Sequence, residues 1–364
     1  MLIKTRDRVE EIAPYVLGKS IEDIQQEYGL RVIRKMSENE NVYGCSPRVK
    51  EMLPRFLEAI HHYPDGLAIE LSTNVSEHLG VRVENLVFGN GSDEVIRLLT
   101  RAYISSGDEA IMAEVTFPRY KTNVFLEEGI PISVPLLNGA HHLERMLEHI
   151  TDRTKMIFVC NPNNPTGTIV GKDELLRFIQ QVPSHILVII DEAYFEYVTT
   201  ENYLDTISLL NEFPNLVVLR TFSKIYGLAS LRIGYGVMNE EISIQLQKVK
   251  DVFNVNRLAQ LAAIEALKDQ LFIQQCAKKN KAGREYLEKA LKEIGVPYFL
   301  SQSNFMMIKL PETGDRISHE LLRRGIVVRS GTLLGFDSTI RVTVGTDIDN
   351  RHFVEELNHI LHSK

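Results

Sequence analysis

The chain predicts an α/β protein whose larger part is a mainly parallel sheet flanked by helices, with a smaller α+β part after it. Two patterns carry that reading. From about residue 86, short apolar runs alternate with amphipathic segments, and after about residue 257 the pattern changes to long charged helices followed by strand-like runs. Length is compatible: 364 residues can bury a large core in one large domain or two unequal ones.

The runs are "LVFG", "AIMAE", "ISVPL", "KMIFVCNP", "ILVIIDEAY" and "LVVLRTF". Short, rich in Val and Ile, and closed by turn or charged residues, they read as buried strands of a parallel sheet. Helices belong between them. One begins near Ser92, with Val95, Leu98, Leu99, Ala102 and Tyr103 on one stripe, and another covers about 172–181, with Leu175, Phe178 and Ile179 on a shared face. In the last part, "NKAGREYLEKALKEIG" reads as helix, while "NFMMIKL", "GIVVRS" and "IRVTVG" read as antiparallel strands. The expected division is 1–40 as an arm with part of the small domain, 41–256 as the large domain and 257–364 as the small domain.

Composition narrows the function classes. A hydrophobic fraction of 44% and a charged fraction of 24% are those of a soluble globular protein. A formal charge of -7 offers no broad basic face to nucleic acid. Three cysteines (Cys45, Cys160, Cys276) without CxxC spacing indicate neither a disulfide framework nor a zinc site. No signal-peptide core and no apolar run of about 18 residues is present, so the expectation is a cytoplasmic protein without a membrane partner.

The chemistry-bearing residues fall at the carboxyl ends of the expected strands, where open α/β sheets place ligands. "GNGSDE" sets Gly89, Gly91 and Ser92 between a strand and a helix, either a capped tight turn or a phosphate site made by helix amides. "CNPNNPTG" is either a rigid loop or a polar lining of a pocket. Asp191 of "DEAY" follows four apolar residues, so its carboxylate calls for a fixed positive partner unless it merely caps the next turn. Glu192 reads as a solvated neighbour, and Tyr194 can point a phenol into the same pocket. In "RTFSKIYGLASLRIGYG", two basic residues, Lys224 and Arg232, sit in a buried-looking setting. Thr221, Ser223, Arg232 and the helix amides near Ser92 make a phosphate cup. Beside it the Lys224 amine can form a Schiff base with an aldehyde, and Asp191 can keep a pyridine nitrogen protonated.

The series "GNGSDE", "NPNNPTG", "DEAY" and "TFSKIYGLASLRIGYG" resembles the fold-type I aminotransferases in order and spacing. With "SENENVYG", "YPDG", "QSNFMMI", "GIVVR" and "IRVTVGT" added, the chain resembles the histidinol-phosphate aminotransferase family over nearly its whole length. The resemblance implies a seven-stranded large-domain sheet, pyridoxal 5'-phosphate as cofactor, and transamination between histidinol phosphate and 2-oxoglutarate, giving imidazole acetol phosphate and glutamate. It implies that Lys224 holds the cofactor covalently and shuttles the substrate proton, and that Asp191 pairs with the ring nitrogen. Asn164 and Tyr194 would bond the ring oxygen, and Phe117 of "VTFPRY" would stack on the ring. Ser92 with the adjacent amide of Asp93, Thr221, Ser223 and Arg232 would grip the phosphate. Tyr63 of "YPDG" would reach the neighbouring site of a homodimer. Arg341 would clamp an α-carboxylate, while Arg329 and Tyr15 would hold the phosphate of the substrate.

One departure bears on substrate preference. Where the family has "NENPYGPSP", this chain has "NENVYGCSP", so Val42 and Cys45 stand in place of prolines. The alternatives weighed are an aromatic aminotransferase, a phosphothreonine decarboxylase and a cofactor-binding regulatory module.

Overall fold

A computed structural model describes residues 3–14 and 18–362. A two-residue strand, β1 (Arg34–Lys35), comes first. The strands β2 (Leu86–Gly89), β3 (Glu109–Ala113), β4 (Ile130–Val134), β5 (Thr154–Cys160), β6 (Leu187–Asp191), β7 (Leu216–Thr221) and β8 (Gly234–Met238) then build one sheet. Its order is β2-β8-β7-β6-β5-β3-β4, parallel except for β8, which runs antiparallel to both neighbours. The six apolar runs of the sequence are β2 to β7.

Successive strand residues face opposite sides of a sheet, and here each side has its own core. Val188, Ile190 and Val218 enter one core, while Ile189, Val217 and Leu219 enter the other with Val95 and Leu99 of the helix Ser92–Tyr103. By that alternation Asp191 and Thr221 look toward the helix Ser92–Tyr103, and Glu192 and Arg220 look the other way. Every residue of β6 and β7 is buried, as strands covered on both faces must be.

Strand β8 is not among the apolar runs of the sequence. Its sequence, "GYGVM", holds two glycines, which weaken any strand signal. The reason for them is a close approach. A Cβ on Gly234 would lie 2.4 Å from the Ser92 amide nitrogen, and one on Gly236 would lie 2.9 Å from a Val95 methyl. Glycine there lets the start of the helix Ser92–Tyr103 sit directly against the sheet.

The last third of the chain forms a smaller unit from β9 (Phe305–Lys309), β10 (Ile326–Val327), β11 (Arg329–Ser330) and β12 (Thr339–Thr343). The run "GIVVRS", expected as one strand, is two: β10 pairs in parallel with β1, whereas β11 joins the antiparallel order β11-β12-β9. Val328, between them, is where the chain changes sheets. Helices Gln270–Glu293, Gly314–Arg323 and Asp347–His362 close over a third core that includes Leu287, Leu321 and Phe353, and Met36, next to β1, packs there too.

Candidate active site

The carboxyl ends of β5, β6 and β7 and the amino end of the helix Ser92–Tyr103 surround a cavity of about 170 Å³. Asp191 ends β6, which makes its position as rigid as the sheet. Its carboxylate accepts a hydrogen bond from the Tyr120 hydroxyl at 2.6 Å and from the Ala193 amide at 3.1 Å. No Lys or Arg pairs with it among the described residues, so the fixed positive partner expected for Asp191 is not one of their side chains. Burial raises its pKa to about 6, against the lowering effect of both donors.

Lys224 follows β7 by three residues. Its ammonium donates to the Glu38 carbonyl at 3.3 Å and stands 5.7 Å from the centre of the Tyr194 ring. Burial, and next the positive charge of Arg341, lower its pKa to about 8. An amine in that range is a usable nucleophile and base near neutral pH.

Beside Lys224 is a polar cradle. The Ser223 amide donates to the Thr221 hydroxyl at 3.0 Å, and Arg232 Nη1 donates to the Ser223 hydroxyl at 3.4 Å. Arg232 Nη2 stands 3.6 Å from Asp93, and a Cβ on Gly91 would come within 2.5 Å of that same nitrogen. Gly91, at φ +79°, thus clears the space in which the guanidinium faces the free amides of the helix start. Arg232 itself departs from expectation: 44% of its side chain is exposed, so it lies at the rim and not in the interior.

The remaining expected residues divide clearly. Phe117, Asn164, Tyr194 and Arg341 line the same cavity. Tyr194 accepts from the Asn39 amide at 3.1 Å, and Asn164 accepts from Arg341 Nη1 at 2.6 Å, while Arg341 Nη2 donates to the Ser37 carbonyl at 2.7 Å. Arg329 is buried directly opposite Arg341 across β11 and β12, and facing residues of an antiparallel pair share a side. Tyr63 lies elsewhere: it is 79% exposed and stacks on Phe253 with ring centres 4.8 Å apart. Tyr15 lies outside the described residues. A larger chamber of about 510 Å³ shares Glu38, Ser223, Lys224 and Arg232 with the cavity and is walled by Lys19, Ile24 and Lys35.

Three features escaped the sequence. Tyr120 and Asn39, which bond Asp191 and Tyr194, lie within "VTFPRY" and "SENENVYG", but they come from 71 and 155 residues away and nothing local marks them as these partners. Glu192, a solvated neighbour by the sequence pattern, is fully buried: Arg220 Nε donates to its Oε2 at 2.7 Å, and Nη2 stands 2.6 Å from the same oxygen. Arg220 ends an apolar run as Asp191 does, which is the one sequence signal for it. Among the described residues no cluster of His, Cys, Asp and Glu is placed to hold a metal ion, and no helix is long and apolar enough to cross a membrane.

Comparison with known proteins agrees with this geometry. The model for "Aminotransferase class I and II" matches residues 32–357. A histidinol-phosphate aminotransferase of Geobacillus sp. (strain WCH70) is 46% identical, covering 100% of this chain and 99% of its own, and that of Anoxybacillus flavithermus is 44% identical, covering 99% and 97%. The chain belongs to the histidinol-phosphate aminotransferase family, within the class I and II aminotransferases. The structure of the histidinol-phosphate aminotransferase of Sinorhizobium meliloti in complex with pyridoxal-5'-phosphate superposes at a TM-score of 0.91, with 24% identity and coverage of 100% and 99%. Aspartate aminotransferase of Thermus thermophilus with maleate superposes at 0.85, with 21% identity and coverage of 99% and 100%. These last two establish the fold: the family's parallel sheet with a smaller second sheet.

Proposed function

We infer that the protein is a pyridoxal phosphate-dependent aminotransferase that exchanges an amino group between histidinol phosphate and 2-oxoglutarate. The observation that carries this reading is a pair of groups in one cavity, Asp191, buried, and Lys224, half-buried, neither joined to an opposite charge among the described residues. A charge buried without a partner is costly unless a ligand supplies one. The donor set fits pyridoxal phosphate: an acid for the ring nitrogen, an amine for the aldehyde, Phe117 for the ring face, and the Thr221, Ser223, Arg232 and Ser92–Asp93 cradle for the phosphate.

Bound pyridoxal phosphate supplies an electron-accepting ring that stabilises negative charge at the substrate Cα. Asp191 would keep a proton on the ring nitrogen. Lys224 Nζ, near neutral pH in part a free amine, would take the proton from the substrate Cα and hold it for return. Asn164 and Tyr194, which line the cavity, would hydrogen-bond the ring oxygen, and Arg341 would orient the anionic end of the substrate.

Histidinol phosphate carries a phosphate ester where an amino acid carries its carboxylate, so one subsite must accept both anions in turn. Arg341 and Arg329, side by side on adjacent strands, suit that demand, since guanidinium forks match carboxylate and phosphate alike. This favours the histidinol phosphate reading over an aromatic aminotransferase. The test is a substrate panel scored by kcat/KM: histidinol phosphate should exceed phenylalanine, tyrosine and phosphothreonine, and equal or better turnover of an aromatic amino acid would overturn the assignment.

A homodimer completes the proposal. Leu57, Ile60, Leu67 and Ile69, near Tyr63 in sequence, and Val252, next to its stacking partner Phe253, are exposed apolar residues that a second copy would cover. From there Tyr63 would reach the phosphate cradle of the partner. Sedimentation should give a dimer; a monomer with full activity would remove Tyr63 from the site.

A further inference from the structure

The back of the same two strands carries a second charged constellation. Residues 191 and 192 run beside 219 and 220, and the Glu192 amide donates to the Leu219 carbonyl at 2.9 Å. On the side away from the cavity, Arg220 and Glu192 form an ion pair with 4% and 0% of their side chains exposed. The remaining Glu192 oxygen accepts from the Thr206 hydroxyl at 2.5 Å. The Arg220 guanidinium lies 3.4 Å from the centre of the Phe195 ring, and Glu196 stands 3.9 Å from its Nη1. Pair, hydroxyl and ring together fix both strands where the ladder of β6 and β7 ends.

A buried ion pair is poor evidence for stability, because desolvation of both charges offsets their attraction, and apolar residues of like size often do as well. What this pair does have is position. Each member is one residue from a group that would meet the cofactor: Glu192 follows Asp191, and Arg220 precedes Thr221. We propose that Arg220 and Glu192 are positioning residues for the cofactor, tying the end of β6 to the end of β7 so that Asp191 and the Thr221–Ser223 cradle keep one fixed separation. The proposal rests on the pyridoxal phosphate reading above. It explains why both Glu192 oxygens are held at that point, Oε2 by Nε and Nη2 of one guanidinium and Oε1 by the Thr206 hydroxyl: a carboxylate held at both oxygens cannot turn or slide, where a single contact restricts only distance.

The test is the double variant Glu192→Leu/Arg220→Met, which leaves net charge unchanged and replaces the pair with apolar groups. Apoprotein melting temperature, the pyridoxal phosphate dissociation constant by equilibrium dialysis, and the pH at which the visible chromophore titrates are compared with wild type. The expected result is a melting temperature within a few degrees of wild type, cofactor binding weakened tenfold or more, and a shifted chromophore titration. Binding and titration both within twofold of wild type would overturn the proposal alone, while failure of wild type to bind pyridoxal phosphate would overturn the functional reading and this one with it. Should the double variant not fold, Arg220→Lys, which keeps the charge and loses the two-nitrogen contact, is expected to bind the cofactor several-fold more weakly; unchanged binding there also overturns the proposal.

Discussion

Two carboxylates, Asp191 and Glu192, are adjacent in sequence and equally inaccessible to water, yet their surroundings differ in kind. Glu192, on the back of the sheet, has its cation in the chain, Arg220 at 2.6 Å. Asp191, on the front, has a phenol and an amide, and the front cation, Lys224, meets a carbonyl and the Tyr194 ring but no carboxylate among the described residues. Burial leaves Asp191 at about 6 and Lys224 at about 8, each displaced toward its neutral form. The back is complete without a ligand and the front is not. Self-sufficient charges serve the framework, and charges held apart from each other mark where something else binds.

The comparison can be broken hardest at Lys224. Lys224→Ala should lower turnover by about 10⁴-fold, the upper end of what a positioned acid–base group contributes, and abolish the covalent link as well. Circular dichroism should show the fold retained. A variant with a tenth of wild-type activity would mean that the front holds another base.

Next in size is Arg341. Arg341→Ala removes a charged fork, so kcat/KM should fall by about 10²-fold or more for both half-reactions. Arg329→Leu should weaken histidinol phosphate, whose phosphate is the larger charge, more than glutamate. Equal losses for the two substrates in steady-state assays would show that the two arginines do not divide the task.

A smaller effect sharpens the same contrast through pH. Asp191 has a folded pKa raised from 3.8 to about 6, so its cost to the cofactor-free fold is absent below pH 3.8, grows between, and is complete above about 6. Lys224 has a folded pKa lowered from 10.5 to about 8, so its cost is complete below about 8 and fades as pH rises toward 10.5. Asp191→Asn should therefore stabilise the apoprotein at pH 7 by roughly 1–3 kcal/mol, and the gain should disappear near pH 4. Lys224→Met should stabilise it by a similar amount at pH 7, with the gain disappearing near pH 10.5. Both variants lose cofactor affinity while gaining stability, and chemical denaturation across pH reads both. Destabilisation by either variant at pH 7 would show that the front charges are satisfied after all.

Much of this arrangement is legible in the sequence, for identifiable reasons. Buried parallel strands are continuous apolar runs, so β2 to β7 announce themselves, and ligand groups gather at their carboxyl ends, which puts Asp191 and Lys224 in view. β8 is hidden because what its glycines provide, room for the helix Ser92–Tyr103, is a tertiary requirement. Strand alternation implies that Asp191 and Glu192 face opposite sides, but the cation that buries Glu192 is 28 residues on. Tyr120 is likewise invisible from Asp191 until the fold closes 71 residues between them. Local pattern reveals which strand end carries a charge; only the fold reveals whether that charge has a partner.

The most direct measurement is a titration of the purified apoprotein with pyridoxal phosphate, followed by visible absorbance in wild type and in Lys224→Met. Saturation at one cofactor per chain with a covalent chromophore in wild type, and no such chromophore in the variant, is the result expected. A wild-type protein that takes up no cofactor, or a variant that forms the same chromophore, would mean that the front of the sheet was never waiting for this ligand.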